Sequence, residues 1–270
     1  MHGLGNDFII LDARERPLRL TGEQVRALAD RRCGVGFDQM ITLEPSGRAD
    51  VFMRIHNADG GEVDACGNAA RCVAALLMAE TGRDAATIDS AGGLLTAHQA
   101  GVGLVTVDMG APRTDWQEIP LCDEMDTLHL NLEADGLKDP VGVSMGNPHA
   151  VFFVDDVAAI DLDTLGPRLE HDPLFPERAN ISAAQVGENG DIRLRVWERG
   201  VGMTRACGTA ACAARVAAAR RGLGPRQGPV ELDGGVLEID WREDGHVCMT
   251  GPAETAYTGS FDLSTLKGLS

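Results

Sequence analysis

Two Ala-Cys-Gly tripeptides, Ala65-Cys66-Gly67 and Ala206-Cys207-Gly208, stand 141 residues apart in a chain of 270, each at the head of an Ala-rich segment. A cysteine at a helix start sits where unpaired N–H groups and partial positive charge gather. Both features stabilise a thiolate and predict a lowered pKa. The same N–H groups can hold a carboxylate. They also supply donors as an adjacent carbon loses its proton and charge moves onto the carboxylate oxygens. Two such thiols can serve one carbon as base on one face and acid on the other. Reversing the direction swaps their roles. That is the chemistry of stereoinversion, and hydrolysis by a single nucleophile would not need the pair.

Other readings of the cysteines are weaker. The spacings Cys66-x5-Cys72 and Cys207-x4-Cys212 are not those of structural zinc pairs, and residues six apart do not share a helix face. A redox dithiol would call for Cys-x-x-Cys, which is absent. Cys33, Cys72, Cys122, Cys212 and Cys248 read as small buried hydrophobes.

The elements that must position the two thiols are duplicated. The chain matches itself at one offset of 141: Gly5-Asn6 on Gly146-Asn147, Asn57 on Glu198, Gly93 on Gly234, Gly110 on Gly251. Between residues 51–72 and 192–213, seven of 22 positions are identical, the cysteine among them. Each half opens on a strand-rich stretch (FIILD; AVFFVDD) and a helix candidate. An alternating strand follows (VFMRIHN; IRLRVWE), then a Gly-containing loop and the Ala-rich helix, which stops at Gly82 or Gly222. Short strands with Gly turns close each half. The Pro-bearing stretch APRTDWQEIP links the copies. We therefore expect an α+β, pseudo-symmetric two-domain duplication, each half a mixed, barrel-like sheet wrapped round a central Ala-rich helix. The expected domains are 1–115 and 116–255, with 256–270 returning to the first half. The expected cleft lies between the halves, with a cysteine helix from each pointing into it.

Composition narrows the partners. A formal net charge of −17 argues against nucleic acid, whose phosphates want clustered Lys and Arg. No uncharged apolar run of about 18 residues predicts a membrane span. No signal-peptide pattern opens the chain, and seven cysteines in this context read as reduced, which predicts the cytoplasm. Lys138 and Lys267 are the two lysines, and neither stands in a convincing context for a pyridoxal phosphate Schiff base.

Four segments in this order, HGLGNDF, NADGGEVDACGNAARC, GNPHAVFFV and ERGVGMTRACGTAACAA, resemble the diaminopimelate epimerase family over nearly the whole chain, and FPERANISAAQV fits it too. The resemblance implies interconversion of LL- and meso-diaminopimelate, on the way to lysine and cell-wall peptide. It implies no pyridoxal phosphate and no metal, a diaminopimelate epimerase-like fold and a homodimer. It maps the catalytic pair onto Cys66 and Cys207, and the cradle for the reacting carboxylate onto backbone N–H groups at Gly67-Asn68 and Gly208-Thr209. Asn6, Gln39, Asn57, Asn147, Asn180 and Arg199 match substrate-binding positions. Glu198 and the main chain around Arg199 would meet the α-ammonium, and His149 and Glu198 match groups that help activate the thiols. The chemistry agrees: Arg199 can grip a distal carboxylate with two parallel bonds, and Asn amides offer donors and acceptors to a zwitterion. The chain departs from the family at Ala69 and Ala210, where many relatives have Gly, and at Phe37, where small residues are common. Ala favours helix, so both helix starts should tighten.

Two other functions fit the same residues. One is a proline- or hydroxyproline-type racemase of the same architecture, which would not need Arg199 and the Asn set for a second carboxylate. The other is a binding protein for a diamino acid, which would not exchange the α-hydrogen.

Overall fold

In the computed structural model, which describes residues 1–262, both Ala-rich segments are helices whose N-caps are Cys66 and Cys207. The first round of elements is β1 (His2–Gly3), β2 (Asn6–Asp12), α1 (Gly22–Ala29), β3 (Gln39–Glu44), β4 (Val51–Asn57), β5 (Glu62–Val63), α2 (Gly67–Thr81), β6 (Ala85–Ser90), β7 (Gly93–Gly101) and β8 (Leu104–Asp108). The second is β9 (Glu133–Ala134), β10 (Leu137–Lys138), β11 (Val141–Ser144), β12 (Pro148–Phe153), α3 (Leu162–Glu170), β13 (Asn180–Val186), β14 (Ile192–Glu198), β15 (Gly202–Thr204), α4 (Gly208–Arg220), β16 (Gln227–Leu232), β17 (Gly235–Trp241) and β18 (Val247–Pro252). Two compact units result, Met1–Val107 with the segment from Pro252, and Asp108–Gly251. The sequence-based division ran instead at 115/116 and 255/256. Of its last segment, residues 263–270, with Lys267, lie outside the described residues.

Both units share one strand order. Within the first unit the strands run β1-β2-β3-β4-β6-β7-β8 with β5 on β4, and within the second β11-β12-β13-β14-β16-β17-β18 with β15 on β14. The parallel pairs are β2/β3 and β4/β6 in one unit, β12/β13 and β14/β16 in the other. A parallel pair needs a crossover, and α1, α2, α3 and α4 supply the four. The fold is mixed α+β, as expected. β9 and β10 form a separate two-stranded hairpin.

The Ala content has a packing reason. In α4, Ala210, Ala211, Cys212, Ala213, Ala214, Val216, Ala217 and Ala218 are all buried. The helix touches β11, β12, β13, β14, β16 and β17. A helix buried on every side is apolar nearly throughout; the exception is buried Arg215, whose guanidinium donates to Gly190 O at 2.7 Å and Pro229 O at 2.8 Å, and the small side chains let the strands close in. The sheet therefore wraps round α4. In the first unit α2 packs on β1, β2, β6 and β7. The outer faces are covered as well. Val25 and Leu28 of α1 pack on Phe37 and Met40, and Leu162, Leu165 and Leu169 of α3 pack with Phe152, Phe175 and Ile181. With both faces covered, β3 and β13 are continuous buried runs. β4 and β14 alternate, as predicted.

The helix ends follow local rules. Thr21 and Gln24 form a capping box at α1, with Thr21 N–H to Gln24 Oε1 at 2.9 Å and Gln24 N–H to Thr21 Oγ1 at 3.3 Å. Gly82 ends α2 at φ 70°, its N–H on Met78 O. α4 ends at Arg220, and Gly222 takes φ 68° two residues later. One alignment is corrected. After the cysteine helices the offset becomes 142: Ser90 pairs with Gly93 as Leu232 pairs with Gly235. Gly93 thus matches Gly235, not Gly234, because the link 221–226 is longer than 82–84 by more than α4 is shorter than α2.

Candidate active site

In the first unit, parallel pairing of β2 with β3 and antiparallel pairing of β3 with β4 bring Asn6, Gln39 and Asn57 to one end of the sheet. Gln39 lies opposite Asn57, and its Nε2 donates to Asn57 Oδ1 at 2.9 Å. Gln39 Oε1 is buried with no hydrogen-bond partner, an acceptor available to a ligand. Half-buried Cys66 caps α2 with an extended backbone and no side-chain cap bond. Its Sγ lies 4.0 Å from Asn6 Oδ1, which accepts from Asn68 Nδ2 at 3.2 Å. Asn6 Nδ2 donates to Asp38 Oδ2 at 3.0 Å. Gly67, Asn68 and Ala69 form the buried first turn, where N–H groups have no intrahelical acceptor.

The second unit repeats the arrangement with different chemistry. Asn147, His149, Asn180, Glu198 and Arg199 gather at the corresponding end of the sheet, with His149 opposite Asn180 and Ile181 opposite Trp197. Asn180 Nδ2 donates to Pro148 O at 2.9 Å, and its Oδ1 accepts from Arg199 N–H at 3.0 Å. Arg199 Nη1 donates to Glu177 O at 3.0 Å. Cys207 caps α4, and its Sγ lies 3.4 Å from Thr209 Oγ1. Asn147 Nδ2 reaches Thr209 Oγ1 at 3.3 Å, and Asn147 Oδ1 lies 3.0 Å from His149 Nε2. That contact makes Nε2 the protonated nitrogen of a neutral ring. Buried His149 Nδ1 has no partner.

Two protonation findings follow. Burial, and then the charge of Arg199, push His149 down to about 3, so the ring is neutral at pH 7. The expectation of a lowered Cys207 pKa is corrected. Burial first, then the Glu198 carboxylate, hold this thiol well above its ordinary value, against the opposing pull of Thr209 and the Ala210 N–H. The helix terminus acts in the predicted sense and is outweighed. Glu198 Oε1 also accepts from the Thr204 hydroxyl.

The remaining cysteines divide. Cys72, Cys212 and Cys248 are buried, as read, and burial pushes Cys72 up to about 11. Cys33 and Cys122 are exposed, against expectation: each lies in a surface connection outside the helices and strands. Asp38 and Thr204 were not singled out from the sequence. Asp38 adjoins Gln39 in GVGFDQM, which was its one signal, and Thr204 had none. Among the described residues no group of three or more His, Cys, Asp and Glu side chains could hold a metal ion, and no helix is long and apolar enough to cross a membrane.

A family model described as diaminopimelate epimerase matches residues 1–114 and 141–256. The diaminopimelate epimerase of Rhodospirillum centenum is 57% identical over 270 aligned residues, covering 99% of this chain and 93% of that one. Among solved structures, a probable proline racemase from Agrobacterium radiobacter K84 aligns with a TM-score of 0.66 at 16% identity, covering 97% of this chain and 92% of its own. A phenazine biosynthesis protein of the PhzF family from Bacillus anthracis aligns at 0.64 and 19%, covering 93% and 92%. At such identities the two structures speak for the fold alone.

Proposed function

The chain belongs to the diaminopimelate epimerase family, and we propose that it interconverts LL- and meso-diaminopimelate using Cys66 and Cys207 as paired acid and base. The observation that carries this reading is the placement of both cysteines as N-caps of the central helices, at equivalent positions of a duplicated fold.

The reacting carboxylate is held by N–H groups of the first helical turns, at Gly67-Asn68 and Gly208-Thr209. One thiolate takes the α-proton. The electron pair left on carbon spreads into the carboxylate, where the same N–H groups meet the growing charge. The other thiol delivers its proton to the opposite face, and the centre is inverted. The two sulfurs have exchanged protonation states, and proton exchange with solvent restores them. Glu198 accepts the Cys207 proton when that residue must act as base. His149, neutral, holds Asn147. Asn6, Gln39, Asn57, Asn147, Asn180 and Arg199 receive the polar ends of the substrate, with Arg199 on the distal carboxylate. Each step uses groups of this chain, without pyridoxal phosphate or metal. We place the enzyme in the cytoplasm, supported by seven free cysteines, and read it as a homodimer from its family.

The test is incubation of the reduced protein with LL-diaminopimelate in deuterium oxide, with no cofactor added, followed by NMR. Deuterium at the α-carbon together with the meso isomer is the expected result. Exchange on proline-like substrates alone, or on none, would overturn the reading.

A further inference from the structure

In each unit an outer helix holds the turn after the fourth strand. In the first, Arg26 of α1 donates to Asp59 O at 3.0 Å. In the second, Glu170, the last residue of α3, accepts from Gly200 N–H at 2.9 Å. Asp59 and Gly200 are equivalent at the offset of 141. Glu170 has a longer reach. Its other oxygen accepts from the Trp197 indole at 2.7 Å, and Arg178 Nη1 lies 3.5 Å away. Only 3% of Glu170 is exposed. One buried carboxylate therefore grips both ends of the stretch carrying Glu198 and Arg199. Gly166 lies one turn earlier on the same helix face. A Cβ there would sit 2.4 Å from the Trp197 ring, so its absence lets α3 settle close enough for Glu170 to reach.

We propose that Glu170 is a positioning residue, fixing the Trp197–Gly200 turn so that the Glu198 carboxylate and Arg199 guanidinium stand where the reaction uses them. This rests on the roles proposed above for those two residues. Glu170 accepts from both the Trp197 indole and the Gly200 N–H, and a buried donor left without an acceptor is costly, so Glu170 locks the turn. A glutamine of the same shape offers one acceptor oxygen. Its NH2 must face either the indole or the Gly200 N–H, donor against donor, and the turn must shift.

The experiment compares Glu170→Gln and Trp197→Phe in the full chain. Glu170→Gln is expected to keep the wild-type circular dichroism, raise KM and lower kcat, with kcat/KM down about 10²-fold, as for a displacement near 1 Å. Trp197→Phe keeps a ring and loses one donor, so about a tenfold loss is expected. A second readout needs no substrate: the pH midpoint for alkylation of Cys207 by iodoacetamide, read by peptide mass. Glu198 holds that thiol up, opposed by Thr209 and the Ala210 N–H, so moving Glu198 away lowers the midpoint. A purely structural Glu170 would leave it unchanged. Folded Glu170→Gln with wild-type kinetics and midpoint overturns the proposal. Should that variant not fold, Trp197→Phe decides by the same two readouts. A wild-type chain that exchanges no α-hydrogen overturns the proposed function alone, and the alkylation midpoint still judges Glu170.

Discussion

Asn6 and Asn147 hold equivalent places in the repeat and present opposite ends of their amides to the cysteine helices. Asn6 gives its NH2 to Asp38 and turns its carbonyl toward Cys66 and Asn68. Asn147 gives its carbonyl to His149 and turns its NH2 toward Thr209 beside Cys207. The duplicated backbone thus surrounds its two thiols with different hydrogen-bond character. The residues that set the orientation are the ones the repeat does not share. Phe8 stands where the second unit has His149, and Ala179 stands where the first has Asp38.

His149→Phe, which copies the first unit, tests the buried neutral ring through stability. The folded pKa is held down to about 3, whereas in the unfolded chain it is near 6.5. A depressed folded pKa gives stability that is complete above the unfolded value and lost as pH falls toward the folded one. Between pH 7 and pH 5 the unfolded state gains a proton that the folded state refuses, a loss of about 2 kcal/mol. Urea unfolding at the two pH values is expected to show that loss in the wild type, and a loss smaller by about 2 kcal/mol in the variant. Equal losses in both proteins would mean that His149 is protonated in the fold.

Cys66→Ala and Cys207→Ala should each abolish conversion to the meso isomer, since each removes one of the two proton carriers of the proposed mechanism. The expected loss is at least about 10⁴-fold, beyond what a single acid or base ordinarily contributes, because neither half-reaction completes an inversion alone. Circular dichroism should be unchanged. Near-full turnover in either variant excludes the two-thiol mechanism.

Arg199→Lys keeps the charge and loses the planar fork. About a tenfold rise in KM with little change in unfolding midpoint is expected, since the bidentate pair proposed for the distal carboxylate becomes one point contact. An unchanged KM removes Arg199 from substrate binding.

Much of this was legible in the sequence, for identifiable reasons. β4 and β14 alternate because only alternate residues of each are fully buried, and α4 is Ala-rich because strands surround it, so both left a pattern in composition. The Ala-Cys-Gly repeat marked both helix starts. The pKa of Cys207 was misjudged because local position reveals the helix terminus, whereas burial and the approach of Glu198 are tertiary facts. Exposed Cys33 and Cys122 show the same limit, since residue type alone does not report solvent. Glu170 was invisible for a related reason. Its partners Trp197 and Gly200 lie 27 and 30 residues away, and an acidic residue ending a helix reads as a solvated one.

Gly166→Ala separates packing from helix propensity. Alanine inside a helix is favoured over glycine by about 1 kcal/mol, a gain that Pro167 trims at this position by crowding the Cβ of the residue before it. At Gly166, however, a Cβ would lie 2.4 Å from Trp197 Cγ and Cδ2 and 2.8 Å from its Cβ. Those atoms are the base of a half-buried side chain whose indole is gripped by Glu170, so they cannot swing aside as the end of a flexible chain would. Overpacking of this kind costs about 1–3 kcal/mol or more, and the clash outweighs the propensity gain. Gly47 provides the contrast, because a Cβ there meets nothing within 4 Å. Gly47→Ala should be neutral or stabilising by up to about 1 kcal/mol, through the unfolded chain. Urea denaturation of both variants beside the wild type should therefore give midpoint shifts of different sign or size. A Gly166→Ala protein as stable as the wild type would show that α3 does not rest against Trp197.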